Sequence, residues 1–204
     1  MQRLGADCLE RSSVVTIDLR TFIAAPPERV FDLSRSIDLH QLSMARSREE
    51  AVGGRTSGLI GLGETVTWHA RHLGVRQRLT IRISGYERPR WFRDELVRGA
   101  FATMVHDHHF EPVDGGTERR DVFRFSAPAG PLGRLVERLL LERYMTRLLE
   151  DRNATIKAVA EGGEVAQAAG WQRLIPHSEP RLSRHHPSRD FHNWTNLAPD
   201  LKIV

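Results

Sequence analysis

The sequence predicts an α+β domain over about the first 160 residues, a curved antiparallel sheet of about seven strands gripping a long C-terminal helix. Three observations carry this. Runs alternating between apolar and polar residues follow one another up to Ser126, separated by turn-sized gaps. Two short helical segments lie after the first run. A stretch with a helical apolar stripe and no internal proline then begins at Pro131.

The first strand is Val14 to Ile23, where Val15, Ile17 and Leu19 alternate with Thr16, Asp18 and Arg20. A short helix follows Ala25, with proline in its first turn, Glu28 at its positive end, and Val30, Phe31 and Leu33 as its apolar face. A second short helix spans Ile37 to Met44, with Ser36 or Asp38 near its cap. Glu49 to Gly63 holds Gly53, Gly54, Gly58, Gly61 and Gly63 but no Gly-Lys-Ser/Thr ending. It therefore reads as a glycine-rich hairpin or a mobile loop over a pocket, not a phosphate loop.

Strands are expected over Glu64 to His72 and Arg76 to Tyr86. Trp91 to Val97 and Phe101 to Pro112 read as a hairpin around Arg98-Gly99. Asp114-Gly115-Gly116 signals a turn before the last strand, Thr117 to Ser126. From Pro131 to Glu161 the stripe runs through Leu132, Leu135, Val136, Leu139, Met145, Leu148, Leu149, Ile156 and Val159. About thirty residues make a helix of about 45 Å, and Gly162-Gly163 is a natural stop.

Residues 1–13 read as a loose lead, 14–161 as the domain, and 162–204, rich in Pro, His, Arg and Ser, as a disordered tail. The chain has 204 residues, 40% hydrophobic and 27% charged, an ordinary globular balance. The formal charge is +4, from 30 Lys+Arg against 26 Asp+Glu. Basic and acidic residues interleave, as in Glu118-Arg119-Arg120-Asp121, which reads as a solvated surface and not a nucleic-acid footprint. Paired arginines such as Arg119-Arg120 are expected to solvate strand ends and hairpins. Cys8 is the single cysteine, so no internal disulfide forms, in keeping with a reducing cytoplasm. No stretch approaches the ~18 apolar residues of a membrane helix. A cytoplasmic protein is the expectation, and the oligomeric state stays open.

Four segments resemble the START-like, or SRPBCC, superfamily: TFIAAPPERVFDLSRSID at Thr21–Asp38, GLGETVTWHARHLGVRQRLTIRI at Gly61–Ile83, FRDELVRGAFATMVHDHHFE at Phe92–Glu111 and DVFRFSAPAGPLG at Asp121–Gly133. The element order matches as well. The resemblance implies the helix-grip fold, with a ligand cavity between sheet and long helix. It is strongest to bacterial ligand-binding SRPBCC proteins labelled cell-division inhibitor-like or polyketide cyclase-like. The superfamily includes lipid and hormone carriers, polyketide cyclases, ubiquinone-binding proteins and plant allergens, so the fold does not settle the function.

Strand alternation then selects the residues that face such a cavity. Trp68, Ala70 and His72 share one face, and Thr67, His69 and Arg71 the other, which arginine assigns to water. Met104, His106, His108 and Phe110 are placed inward, as are Phe92, Asp94 and Leu96, and Asp121, Phe123 and Phe125. The ligand-binding candidates are Trp68, His72, Phe92, Asp94, Met104, His106, His108, Asp121 and Phe123. His106, His108 and Asp94 are also the catalytic candidates, because a histidine beside a carboxylate forms an acid-base pair near neutral pH. Hydrogen-bonded structural histidines are the competing reading. In the run His106 to His109 only His106 and His108 share a face, with Asp94 or His72 as a third donor; no zinc spacing is present, and no metal or cofactor is expected.

The leading expectation is a binder of a small hydrophobic ligand, such as a lipid, quinone or polyketide-like molecule. A cyclase/dehydrase-type enzyme is the alternative. A protein-interaction module linked to cell division or the ribosome, implied only by the family labels, is the third.

Overall fold

A computed structural model describes residues 14–45, 47–72, 75–126 and 140–162. Its strands are β1 (Val15–Ile23), β2 (Glu50–Gly54), β3 (Thr65–His72), β4 (Val75–Glu87), β5 (Trp91–Arg98), β6 (Thr103–Val113) and β7 (Gly116–Ser126). Its helices are α1 (Pro27–Ser34), α2 (Ile37–Ser43) and α3 (Glu142–Ala160). The expected lead with Cys8, the tail with its histidine pair, and the 131–139 part of the long helix lie outside the described residues. The described helix has 19 residues, about 28 Å at the usual rise.

All seven strands form one antiparallel sheet, ordered β1-β7-β6-β5-β4-β3-β2. From β2 to β7 it is a meander of hairpins, which short connections dictate. The glycine-rich segment resolves as the first of these hairpins, with Glu50 opposite His69 and a bulge between Ala51 and Gly53. Further bulges lie between Thr80 and Ile81 and between Ile83 and Gly85; such irregularities bend a strand and increase its twist. Gly85 is required by close approach, since a Cβ there would lie 2.2 Å from the Trp91 ring.

β1 and β2 occupy opposite edges of the sheet, and α1 and α2 carry the chain between them. Pro26 caps α1 and Pro27 opens it, where a missing N–H costs nothing. The Ser36 hydroxyl caps α2 by accepting the Leu39 N–H at 3.2 Å. α3 packs on β1, α1 and α2. Phe31 of α1 meets Tyr86, Phe92 and Phe110 edge-on at 5.3, 5.4 and 5.3 Å between ring centroids, a favourable aromatic geometry that ties α1 to the sheet. No helix among the described residues is long and apolar enough to cross a membrane.

Candidate functional site

A cavity of about 240 Å³ lies between the sheet face and α3. Alternation along β3 turns Trp68, Ala70 and His72 into it, and β4 adds Gln77, Leu79 and Ile81. Asp94, Met104, His106 and Phe123 come from β5, β6 and β7. α3 supplies Tyr144, Met145, Leu148, Leu149 and Arg152. Most of the wall is apolar, with polar groups gathered in two places, the usual layout of a small-molecule site.

The first polar group centres on Asp121, which is fully buried. Its Oδ1 accepts from Arg119 Nη2 at 2.7 Å, His108 Nδ1 at 2.8 Å and His106 Nε2 at 3.0 Å. Its Oδ2 accepts from Asn153 Nδ2 of α3 at 2.9 Å. Burial alone would raise this carboxyl, but the Arg119 guanidinium and the two histidine bonds overcome it and hold it well below the usual carboxylate range. Burial, with His108 adding to it, pushes His106 down to about 4, so its ring is neutral near pH 7. Burial lowers Arg119 to about 10, which leaves it charged. Asp94 lies against His108 Nε2 at 3.3 Å; burial raises it, but the neighbouring His108 prevails and its carboxyl is held low.

The second polar group centres on Glu49, also in the cavity wall. His40 Nε2 lies 2.7 Å from Glu49 Oε2, and His72 Nε2 lies 3.5 Å from Oε1. His72 Nδ1 meets the Tyr144 hydroxyl at 2.8 Å. His40 stacks on Trp68 with centroids 4.1 Å apart. Burial would raise Glu49, yet the His40 bond holds its carboxyl down. Burial raises the Tyr144 phenol, so its hydroxyl stays protonated at neutral pH.

Of the candidates read from the sequence, Trp68, His72, Asp94, Met104, His106 and Phe123 line the cavity. His108 and Asp121 sit fully buried behind them. Phe92 stacks on His108 at 4.2 Å and, with Asp94 and Arg152, lines a recess of about 40 Å³. Asp94, His106 and His108 each offer a metal-donor atom, all within 4.8 Å of one another.

One expectation is corrected. Arg119 does not solvate a hairpin; its side chain is fully buried. The reason is strand parity, since Arg119 stands two residues from Asp121 on the same face, while Arg120 points outward and pairs with Asp18 at 2.6 Å. Sequence reasoning also missed Arg152 and Asn153, buried polar residues within the apolar stripe of α3. Their spacing from Leu149 and Ile156 was the available signal. Glu49 and His40 stand outside any strand alternation and carried no such signal.

Solved structures share this fold. A protein from Thermus thermophilus, TTHA0849, is 20% identical with a TM-score of 0.58, covering 72% of this chain and 99% of that one. Ms6760 from Mycobacterium smegmatis is 17% identical at 0.53, covering 76% and 92%. Ginseng major latex-like protein 151 from Panax ginseng is 12% identical at 0.51, covering 72% and 97%. No curated protein sequence matches the chain. The family model described as polyketide cyclase / dehydrase and lipid transport matches residues 14–161, from the start of β1 to the end of α3. Sheet, helix and sequence thus agree, and the chain belongs to the polyketide cyclase / dehydrase and lipid transport family, within the SRPBCC superfamily.

Proposed function

We propose that the protein binds a small hydrophobic molecule carrying a polar group, of the lipid, quinone or polyketide-like class. The observation behind this reading is the cavity itself, about 240 Å³ with Trp68, Leu79, Ile81, Phe101, Met104 and Phe123 in its wall and His106, Asp94 and Arg152 exposed to it. Burying apolar ligand surface contributes about 25 cal/mol per Å², while the polar groups orient the ligand. Native mass spectrometry of the purified protein, followed by organic extraction, tests this. A co-purifying apolar molecule is the expected result. An empty protein whose Trp68 fluorescence also ignores fatty acids, quinones and aromatic polyketides would overturn it.

A second reading is favoured by one arrangement. His106 lies on the cavity wall with Asp121 hydrogen-bonded behind it, the layout of an oriented general base. In a cyclase/dehydrase reaction such a base removes an acidic carbon-bound proton, and the carbanion closes on a carbonyl of the same molecule before water is lost. Turnover of a poly-β-carbonyl substrate that His106→Gln abolishes, with binding retained, would favour this over simple carriage.

A further inference from the structure

We propose that Asp94, His106 and His108 form a binding site for one divalent first-row transition-metal ion of the zinc class, at the polar end of the cavity. The starting point is the geometry of the two rings. Both rings turn one nitrogen toward Asp121. His106 Nε2 and His108 Nδ1 lie 3.0 and 2.8 Å from Asp121 Oδ1, and His108 Nδ1 also lies 3.2 Å from Arg119 Nη2. The second nitrogens, His106 Nδ1 and His108 Nε2, are the ones that make no bond to Asp121.

His108 Nε2 then faces Asp94 Oδ2 at 3.3 Å. A proton there would make a charge-assisted bond, but such bonds are about 2.7–2.9 Å long. It would also leave Asp94 Oδ1 as it stands, buried with no hydrogen-bond partner. Two ligands each about 2.1 Å from a tetrahedral ion are about 3.4 Å apart, which is the spacing seen. One donor atom from each of Asp94, His106 and His108 lies within 4.8 Å of the others, so modest side-chain adjustment closes the third contact.

The surroundings are those of a metal site. Metal-bound histidines characteristically donate their second N–H to a carboxylate, which fixes the ring and its tautomer. Here one carboxylate lies within hydrogen-bond distance of both rings, and Arg119 and Asn153 hold it in place. Two imidazoles and one carboxylate suit zinc or ferrous iron and not magnesium or calcium, which prefer oxygen. Three protein donors leave a fourth position facing the cavity. Arg152 lies in the same wall, so that position favours an anionic oxygen: hydroxide, or an enolate or carboxylate of the bound molecule.

With the ion present His106 is a ligand and not a free base, so the metal site competes with the second reading above. The carrier reading is independent of it. The test is titration of full-length, chelator-stripped protein with Zn²⁺ by calorimetry and with Co²⁺ by visible absorption. The expected result is one ion per chain, intense Co²⁺ bands of a low-coordinate site, and no response to Mg²⁺. Asp94→Asn and His106→Gln weaken binding by at least about tenfold, while the outward-facing control His69→Gln and the tail control His185→Gln/His186→Gln do not. Circular dichroism confirms that each variant is folded. If His106→Gln does not fold, Asp94→Asn, nearly isosteric, decides alone. Absence of binding, or binding that survives Asp94→Asn or disappears with the tail control, overturns the proposal.

Discussion

Asn153 of α3 donates to Asp121 of β7 at 2.9 Å, and its own carbonyl oxygen accepts from Arg119, so a single amide spans helix and sheet through their buried ionic cluster. Replacing Asn153 with Leu removes both bonds and leaves a buried guanidinium and a buried carboxylate under-satisfied. The cost is expected to be about 2–4 kcal/mol. Urea unfolding should show a lower midpoint with an unchanged slope.

Arg119 is the counter-charge of Asp121, at 2.7 Å and with no exposure on either side chain. Arg119→Met keeps volume but strands the carboxylate. A loss of about 3–5 kcal/mol follows, and Arg119→Met/Asp121→Leu should recover a large part of it. A double-mutant cycle by chemical denaturation measures the coupling.

Asp32 of α1 bridges Arg35 and Arg88, each at 2.8 Å. Burial would raise its carboxyl, but the bonds from Arg88 and Arg35 win and lower it. A depressed carboxyl contributes stability above its unfolded value of about 3.9, and that contribution is lost as pH falls through the lower folded value. Asp32→Asn should therefore destabilise by about 1–3 kcal/mol at pH 7, with the gap closing toward pH 2. Thermal melts of both proteins across that range give the answer.

Ala70 lines the cavity from β3 between Trp68 and His72. Ala70→Phe places a ring in the empty space, so binding of an apolar probe should weaken at least about tenfold while the melting temperature changes by only a few degrees. Fluorescence titration with a fatty-acid analogue, alongside scanning calorimetry, separates the two effects.

The strand positions and the buried faces were legible because both follow from period two. Met104, His106, His108 and Phe110 alternate with outward residues over an uninterrupted β6, and each is buried. Arg119 was misread because the preference of arginine for water was set above the parity of its own strand, although Asp121, Phe123 and Phe125 had already been placed inward. Arg152 and Asn153 were hidden differently. A helical stripe is recognised by its apolar members, and a polar residue inside it looks like an interruption until the structure brings Asp121 and Ser34 within reach. Glu49 joins His40 and His72 only through the hairpin turn onto β3, a contact that no local pattern encodes.

The pairing of β1 with β7 has a consequence for synthesis. Val15 lies opposite Phe125 and Ile23 opposite Thr117, so β1 leaves the ribosome long before its partner does. Until then β1 is an unpaired edge with Ile17 and Ile23 uncovered, the kind of segment that recruits other chains. Nascent chains halted before residue 116 should be cleaved readily within residues 15–23, and those released past residue 126 should resist. The distance between these partners along the chain also assigns the protein to the slower, non-local class of folders.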